Sequence, residues 1–138
     1  MHAFATRLLL GAVLCSAPAA WAAGCPGKDE GAGIRVPDGF CAQVFAQDVG
    51  DLRHLAVGAD GTVYAALSSR RHGGGIAVLR PRGGRGELVG YFGAVQGTGI
   101  GLHGGYLYFG ENDRIVRFPL ASDGTPQGPM QIVVSDFP

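Results

Sequence analysis

Apolar residues in this chain come in short runs that alternate with glycine-centred turns. Runs such as 76–79 and 115–118 are rich in Val, Ile and Phe, and turn tripeptides such as residues 37–39, Pro-Asp-Gly, precede or follow them. No window keeps apolar positions at helical spacing for three turns. The pattern therefore predicts an all-β protein, with its first strand at residues 40–45.

The first 22 residues have a different pattern from the rest. Arg7 precedes an apolar run at residues 8–15, and Ala20-Trp21-Ala22 has the small-x-small form of a cleavage site. This arrangement predicts a signal peptide at residues 1–22 and a periplasmic or secreted protein. The apolar run is shorter than the roughly 20 residues that a membrane span needs, and no later stretch approaches that length. We expect an N-terminal arm at 23–36, a β domain at 37–138 and no transmembrane segment.

Two segments of the β domain repeat one another. Residues 54–64 and 99–108 each read strand, turn, strand, and each ends in Gly-x-aliphatic-Tyr, with the tyrosines 44 positions apart. A strand that ends on proline follows each copy, at 76–81 and 115–119. Preceding strands are predicted at 40–45 and 87–92, and a final strand at 130–134.

Four strands in about 40–45 residues is the size of one propeller blade. The repeat thus predicts a partial β-propeller of two four-stranded antiparallel blades plus the first strand of a third. A blade cannot cover both of its faces alone, so we expect further blades downstream of residue 138. A compact β-sandwich is the alternative, because nine short strands would also suit it.

Charge and cysteine content narrow the partners and the compartment. Cleavage after residue 22 removes one arginine and no acid, leaving a net charge of about −1, which does not favour nucleic acid. It also leaves two cysteines, Cys25 and Cys41, which in an oxidising compartment would form one disulfide. The alternative is a lipoprotein, because residues 22–25, Ala-Ala-Gly-Cys, resemble a lipobox in which Cys25 would be acylated.

Three polar residues are candidates for contact with a cofactor or substrate. Arg53 and His54 open one inner strand, and Gln96 lies just before the other. They could bind an anion or a quinone, or they could simply satisfy backbone groups at the inner edge. Glu111, Asn112 and Asp113 place three oxygen-bearing side chains in one loop, but without EF-hand spacing we expect a turn. No catalytic residue set and no metal site is predicted.

Several segments resemble the N-terminal part of the glucose/sorbosone dehydrogenase family, most closely its L-sorbosone dehydrogenase-type members. The segments are 36–46 (VPDGFCAQVFA), 53–57 (RHLAV), 60–64 (DGTVY), 97–100 (GTGI), 112–117 (NDRIVR) and 133–135 (VVS). The resemblance implies a periplasmic six-bladed propeller that binds pyrroloquinoline quinone (PQQ) and calcium. Such enzymes oxidise a sugar or sugar aldehyde.

The resemblance also limits what these 138 residues would do. It places the family's catalytic histidine, and the later quinone and calcium contacts, beyond residue 138. We therefore expect that the isolated chain holds neither PQQ nor calcium and does not turn over sugar. The alternative function is a non-catalytic propeller module that binds a carbohydrate or a protein, with a lipid anchor at Cys25 as one possibility.

Overall fold

Two four-stranded antiparallel sheets make up the protein in a computed structural model that describes residues 33–137. The first sheet has the order β1-β2-β3-β4 and the second the order β5-β6-β7-β8, so each is a simple meander. The described range contains no helix, and hence none that could cross a bilayer. The strands are β1 Leu52–Val57, β2 Val63–Arg71, β3 Gly74–Arg82, β4 Arg85–Phe92, β5 Gly99–His103, β6 Tyr106–Gly110, β7 Ile115–Pro119 and β8 Gln131–Val134. The all-β prediction is confirmed.

Tight hairpins set which strands pair. Residues 72–73, 83–84 and 104–105 are two-residue turns in which both residues have a positive φ. Turns of this kind match the twist of antiparallel strands, and glycine adopts a positive φ without strain. They join β2 to β3, β3 to β4 and β5 to β6.

This pairing corrects the predicted division into blades. Residues 87–92, predicted to precede the second repeat, lie in β4 and complete the first sheet, because the 83–84 turn folds β4 back on β3. Residues 130–134, predicted to open a third blade, contribute β8, the fourth strand of the second sheet. There Gln131 pairs with Arg117 and Val134 with Ile115.

The strand predicted at residues 40–45 is also wrong. This segment has no strand structure; its Phe45 ring packs beside Gly86, and Phe45 O accepts a hydrogen bond from Gly86 N at 2.7 Å. Phe45 and Ala46 also pack on the outer face of the first sheet. The end of the segment therefore packs on a face of the first sheet, with one backbone hydrogen bond to β4 and no ladder.

Part of the predicted N-terminal organisation lies outside the described residues. The signal peptide at 1–22 and most of the arm at 23–36 belong to that part; residues 33–36 are exposed and without strand structure. Cys41 is disulfide-bonded. Because Cys25 lies outside the described residues, its pairing with Cys41 stays a prediction.

The core is the apolar cluster between the two sheets. Alternate residues of β2 and β3 meet alternate residues of β6 and β7, as the two-residue period of a strand requires. The cluster comprises Tyr64, Ala66, Ile76 and Val78 from the first sheet and Leu107, Phe109, Val116 and Phe118 from the second. A second cluster, Val49, Ala65, Leu67, Ala77 and Leu79, fills the other face of the first sheet beneath residues 45–49.

Residues 93–98, here called the linker, carry the chain from β4 to β5 and pass close over the first sheet. Gly97 N donates to Leu67 O at 3.3 Å, and Arg70 donates to Ala94 O at 3.0 Å. A side chain at Gly75 would overlap the Val95 carbonyl, and one at Gly97 would overlap Gly110. Glycine is required at both positions by close backbone approach.

Two Asp-Gly-Thr turns, 60–62 and 123–125, meet at the opposite end of the sheets. In each turn the aspartate accepts hydrogen bonds from the threonine N–H and hydroxyl. The Tyr64 hydroxyl of the first sheet donates to Gly124 O of the second at 2.5 Å, and Arg80 bridges to Asp123 at 3.2 Å. These contacts join the first sheet to the loop between β7 and β8.

Substitution of Gly75 by alanine should destabilise the protein, because its methyl group has to displace the linker. We expect a loss of roughly 1–3 kcal/mol in the free energy of unfolding, measured by urea denaturation. Gly101→Ala is the matched control, because nothing lies within 4 Å of a methyl group at that position. It should raise the free energy of unfolding by at most about 0.5–1 kcal/mol. Equal losses for the two variants would contradict the proposed close approach.

The two turn aspartates should make stability depend on acid pH. Hydrogen bonds from the threonine side chains, above all, lower the pKa of Asp60 and of Asp123 below the ordinary 3.8. Groups with a lowered folded pKa stabilise the fold fully above the ordinary value, and the stabilisation is lost as pH falls through the folded value. The urea concentration at the unfolding midpoint should therefore decrease as the pH falls below about 4. This decrease should be smaller in the Asp60→Asn, Asp123→Asn double variant. Identical pH profiles of the two proteins would contradict the lowered pKa values of the two aspartates.

Candidate functional site

All three sequence-predicted candidates lie at one end of the two sheets, which we call the linker end. Arg53 and His54 are at the start of β1, Gln96 is in the linker, and the β6–β7 turn, residues 111–114, is at the same end. The hairpin directions explain this, because β1 and β5 both begin where the linker crosses. The structure thus brings together residues that are more than 40 positions apart in the sequence.

His54 is held by a backbone group of the linker. Its Nδ1 lies 2.7 Å from Thr98 O, and the side chain is otherwise exposed. A carbonyl oxygen can only accept, so Nδ1 must carry the proton and Nε2 of the neutral ring is left as an acceptor. His54 therefore binds a backbone group, which is one of the two roles predicted for it from the sequence. The same hydrogen bond fixes the tautomer that a ligand would meet.

Gln96 lines a small pocket of about 110 Å³ between the linker and the β6–β7 turn. The pocket is bordered by Val95, Gln96 and residues 111–114. Gln96 is half-buried, and no hydrogen bond of its side chain is described within residues 33–137. Its amide can therefore serve as both a donor and an acceptor to a small polar group.

Arg53 is exposed beside His54. Within the described range its guanidinium makes no ion pair with an acid. An exposed arginine of this kind can bind a carboxylate or a phosphate with two parallel hydrogen bonds.

The Glu111, Asn112 and Asp113 loop is a turn, as expected, and its acids are already paired. Arg114 Nε lies 2.5 Å from Glu111 Oε2 and 3.6 Å from Asp113 Oδ1, and the Glu111 side chain is only 2% exposed. The hydrogen bond with Glu111 is the main reason that the pKa of Arg114 is raised. Residues 33–137 contain no group of three or more His, Cys, Asp or Glu side chains arranged to hold a metal.

Sequence reasoning missed Arg114 and Thr98. Arg114 follows Glu111 at a separation of three across a tight turn, a spacing that could have suggested the ion pair. Thr98 acts through its carbonyl oxygen, which every residue possesses, so no side-chain pattern could have identified it.

A larger pocket of about 500 Å³ opens at the other end of the sheets, between the β1–β2 turn, the β5–β6 turn and residues 120–124. Buried Tyr64 forms part of its lining, but the Tyr64 hydroxyl is already bonded to Gly124. The Asp60 carboxylate at the rim is likewise bonded to Thr62. His103 and Ser122 also line this pocket, and no hydrogen bond of either side chain is described within residues 33–137. We take the linker end as the candidate site because Arg53, His54 and Gln96 lie together there.

No protein-family model matches the chain, and searches of curated proteins and of solved structures found no match either.

His54→Ala should lower the free energy of unfolding by roughly 0.5–1.5 kcal/mol, because the bond between β1 and the linker is lost. His54→Asn is the informative partner variant, since an asparagine amide can donate from nearly the position of Nδ1 and should recover part of the loss. Nitrogen chemical shifts of the imidazole should show the Nδ1–H tautomer at neutral pH. An Nε2–H tautomer, or equal stability of the two variants, would rule out the assigned hydrogen bond.

Proposed function

We propose that this chain provides the first two blades of an exported β-propeller that oxidises a sugar or sugar aldehyde with PQQ as the electron acceptor. The sequence resemblance to glucose/sorbosone dehydrogenases suggests this chemistry. The observation that carries the proposal is structural: two meander sheets stack face to face, and their first strands β1 and β5 lie side by side. Arg53, His54 and Gln96 lie together at one end of these sheets. In propellers the first strands line the central channel.

The linker-end residues suit a carboxylated quinone chemically. Arg53 offers a guanidinium without an acidic partner among the described residues, and Gln96 offers an amide for a carboxylate or carbonyl oxygen. His54 presents Nε2 as an acceptor because Thr98 occupies Nδ1. PQQ, when bound, would accept the hydride from the sugar, and the residues of this chain would orient it.

The test uses the complete polypeptide that the gene encodes, reconstituted with PQQ and Ca²⁺. We expect dye-linked oxidation of L-sorbosone or glucose that requires both additions, and an Arg53→Ala variant whose Kd for PQQ is about 10–100-fold higher. Arg82→Ala is the matched control, because Arg82 is an exposed arginine at the opposite end of the sheets, paired with Glu87 at 3.2 Å.

Two outcomes would contradict the proposal. Absence of oxidation of any aldose or ketoaldehyde by the reconstituted protein would reject the enzymatic function. Sugar binding measured by calorimetry without turnover would instead favour the alternative, a non-catalytic carbohydrate-binding module.

A further inference from the structure

The contact of Tyr64 with the second sheet shows how one repeat binds the next. Tyr64 is 1% exposed, packs in the inter-sheet cluster and donates its hydroxyl to Gly124 O of the β7–β8 loop. It pairs across the sheet with Ala56 on β1 and Val78 on β3. Burial raises the pKa of Tyr64, which keeps the hydroxyl protonated as a donor.

The second sheet repeats this arrangement on its outer face. Tyr108 is the repeat counterpart of Tyr64, and it pairs with Gly101 on β5 and Arg117 on β7. The register agrees further along, since the pair Ala66 and Ile76 corresponds to Gly110 and Ile115. The outer face of the second sheet therefore corresponds, pair by pair, to the face that the first sheet buries.

Within residues 33–137, no member of either core cluster packs on that outer face. Leu107 and Phe109 point toward the first sheet, so Tyr106 and Tyr108 point away from it. A shallow cavity of about 440 Å³ lies beside Tyr108, and a methyl group at Gly101 would meet nothing within 4 Å. Val134, which pairs with Ile115, is 43% exposed at the margin.

Arg117 distinguishes this face from its counterpart, because Val78 occupies the equivalent position. The Arg117 guanidinium lies 4.2 Å above the Tyr106 ring, and its Nε donates to Gln131 Oε1 at 2.8 Å. None of the contacts described for Arg117 is with a carboxylate. A guanidinium that becomes covered needs an opposite charge, since an unpaired buried charge is strongly destabilising.

We propose that the outer face of the second sheet binds a further four-stranded sheet of the same repeat. A turn carbonyl of that sheet accepts a hydrogen bond from the Tyr108 hydroxyl, and a carboxylate of that sheet pairs with Arg117. This interaction surface rests on the propeller arrangement of the proposed function but not on its quinone chemistry, so the tandem protein described below and the oxidation assay can fail independently. It predicts that the partner sheet resembles the second sheet except for an acidic residue facing Arg117.

A tandem protein tests the surface directly. A second copy of residues 93–137 is appended after residue 138 of the full chain, so that the same linker delivers the same kind of sheet to the outer face. We expect the appended sheet to be protected from amide exchange. Tyr108→Phe removes the 3.5 Å hydrogen bond from Arg117 to the Tyr108 hydroxyl in both proteins. It should therefore lower the Tm by about 2–4 °C more in the tandem protein than in the single chain. Tyr106→Phe is the matched control on the same face, and it should shift neither protein.

The carboxylate is tested by a double-mutant cycle in the tandem protein. Val116→Glu in the appended copy should lower the Tm less when the original second sheet keeps Arg117 than when it carries Arg117→Val. The difference should be about 2–4 °C or more. No difference would overturn the carboxylate assignment. Arg117→Val removes the charge that distinguishes the outer face from the buried face of the first sheet. An appended sheet that stays unprotected even in that background would overturn the whole proposal.

Discussion

Face-to-face packing of the two sheets is the interaction on which the rest of the structure depends. Four side chains from β2 and β3 meet four from β6 and β7, and all of them are almost inaccessible to solvent. Burial of apolar area is the main favourable contribution to folding, and a sheet buries an apolar face by packing it against another part of the structure. The stacked pair is therefore the smallest unit in which either sheet covers that face.

Close stacking leaves little space for the connection between the sheets. The linker approaches the first sheet at Gly75, and the second sheet through its own Gly97 beside Gly110, at distances that only glycine permits. As a result His54 reaches Thr98 O, and Gln96 lies beside the β6–β7 turn. The polar character of the linker end is thus a consequence of how the sheets stack, because chain crossings and strand starts gather at the same place.

The two faces of each sheet are used differently. Among residues 33–137, the first sheet is covered on both faces, by the segment at 45–49 and by the second sheet, whereas the core clusters cover the second sheet on one face. Its outer face combines two tyrosines with Arg117, a composition suited to association with another protein surface. A scaffold that repeats a binding face in this way can present the linker end of several sheets around a common site.

The sequence alone determined the secondary-structure class and the repeat. Glycine-centred turns and short apolar runs act locally, so the all-β fold and most strand positions could be predicted, as could the shared end of Arg53, His54 and Gln96. Strand partnership could not be predicted, because residues 40–45 and 87–92 have equally good strand patterns. Only tertiary contacts decided that the 40–45 segment forms no strand and packs its Phe45 on a face while residues 87–92 join a ladder, since a hydrogen-bonded edge and an apolar face attract the same residue types.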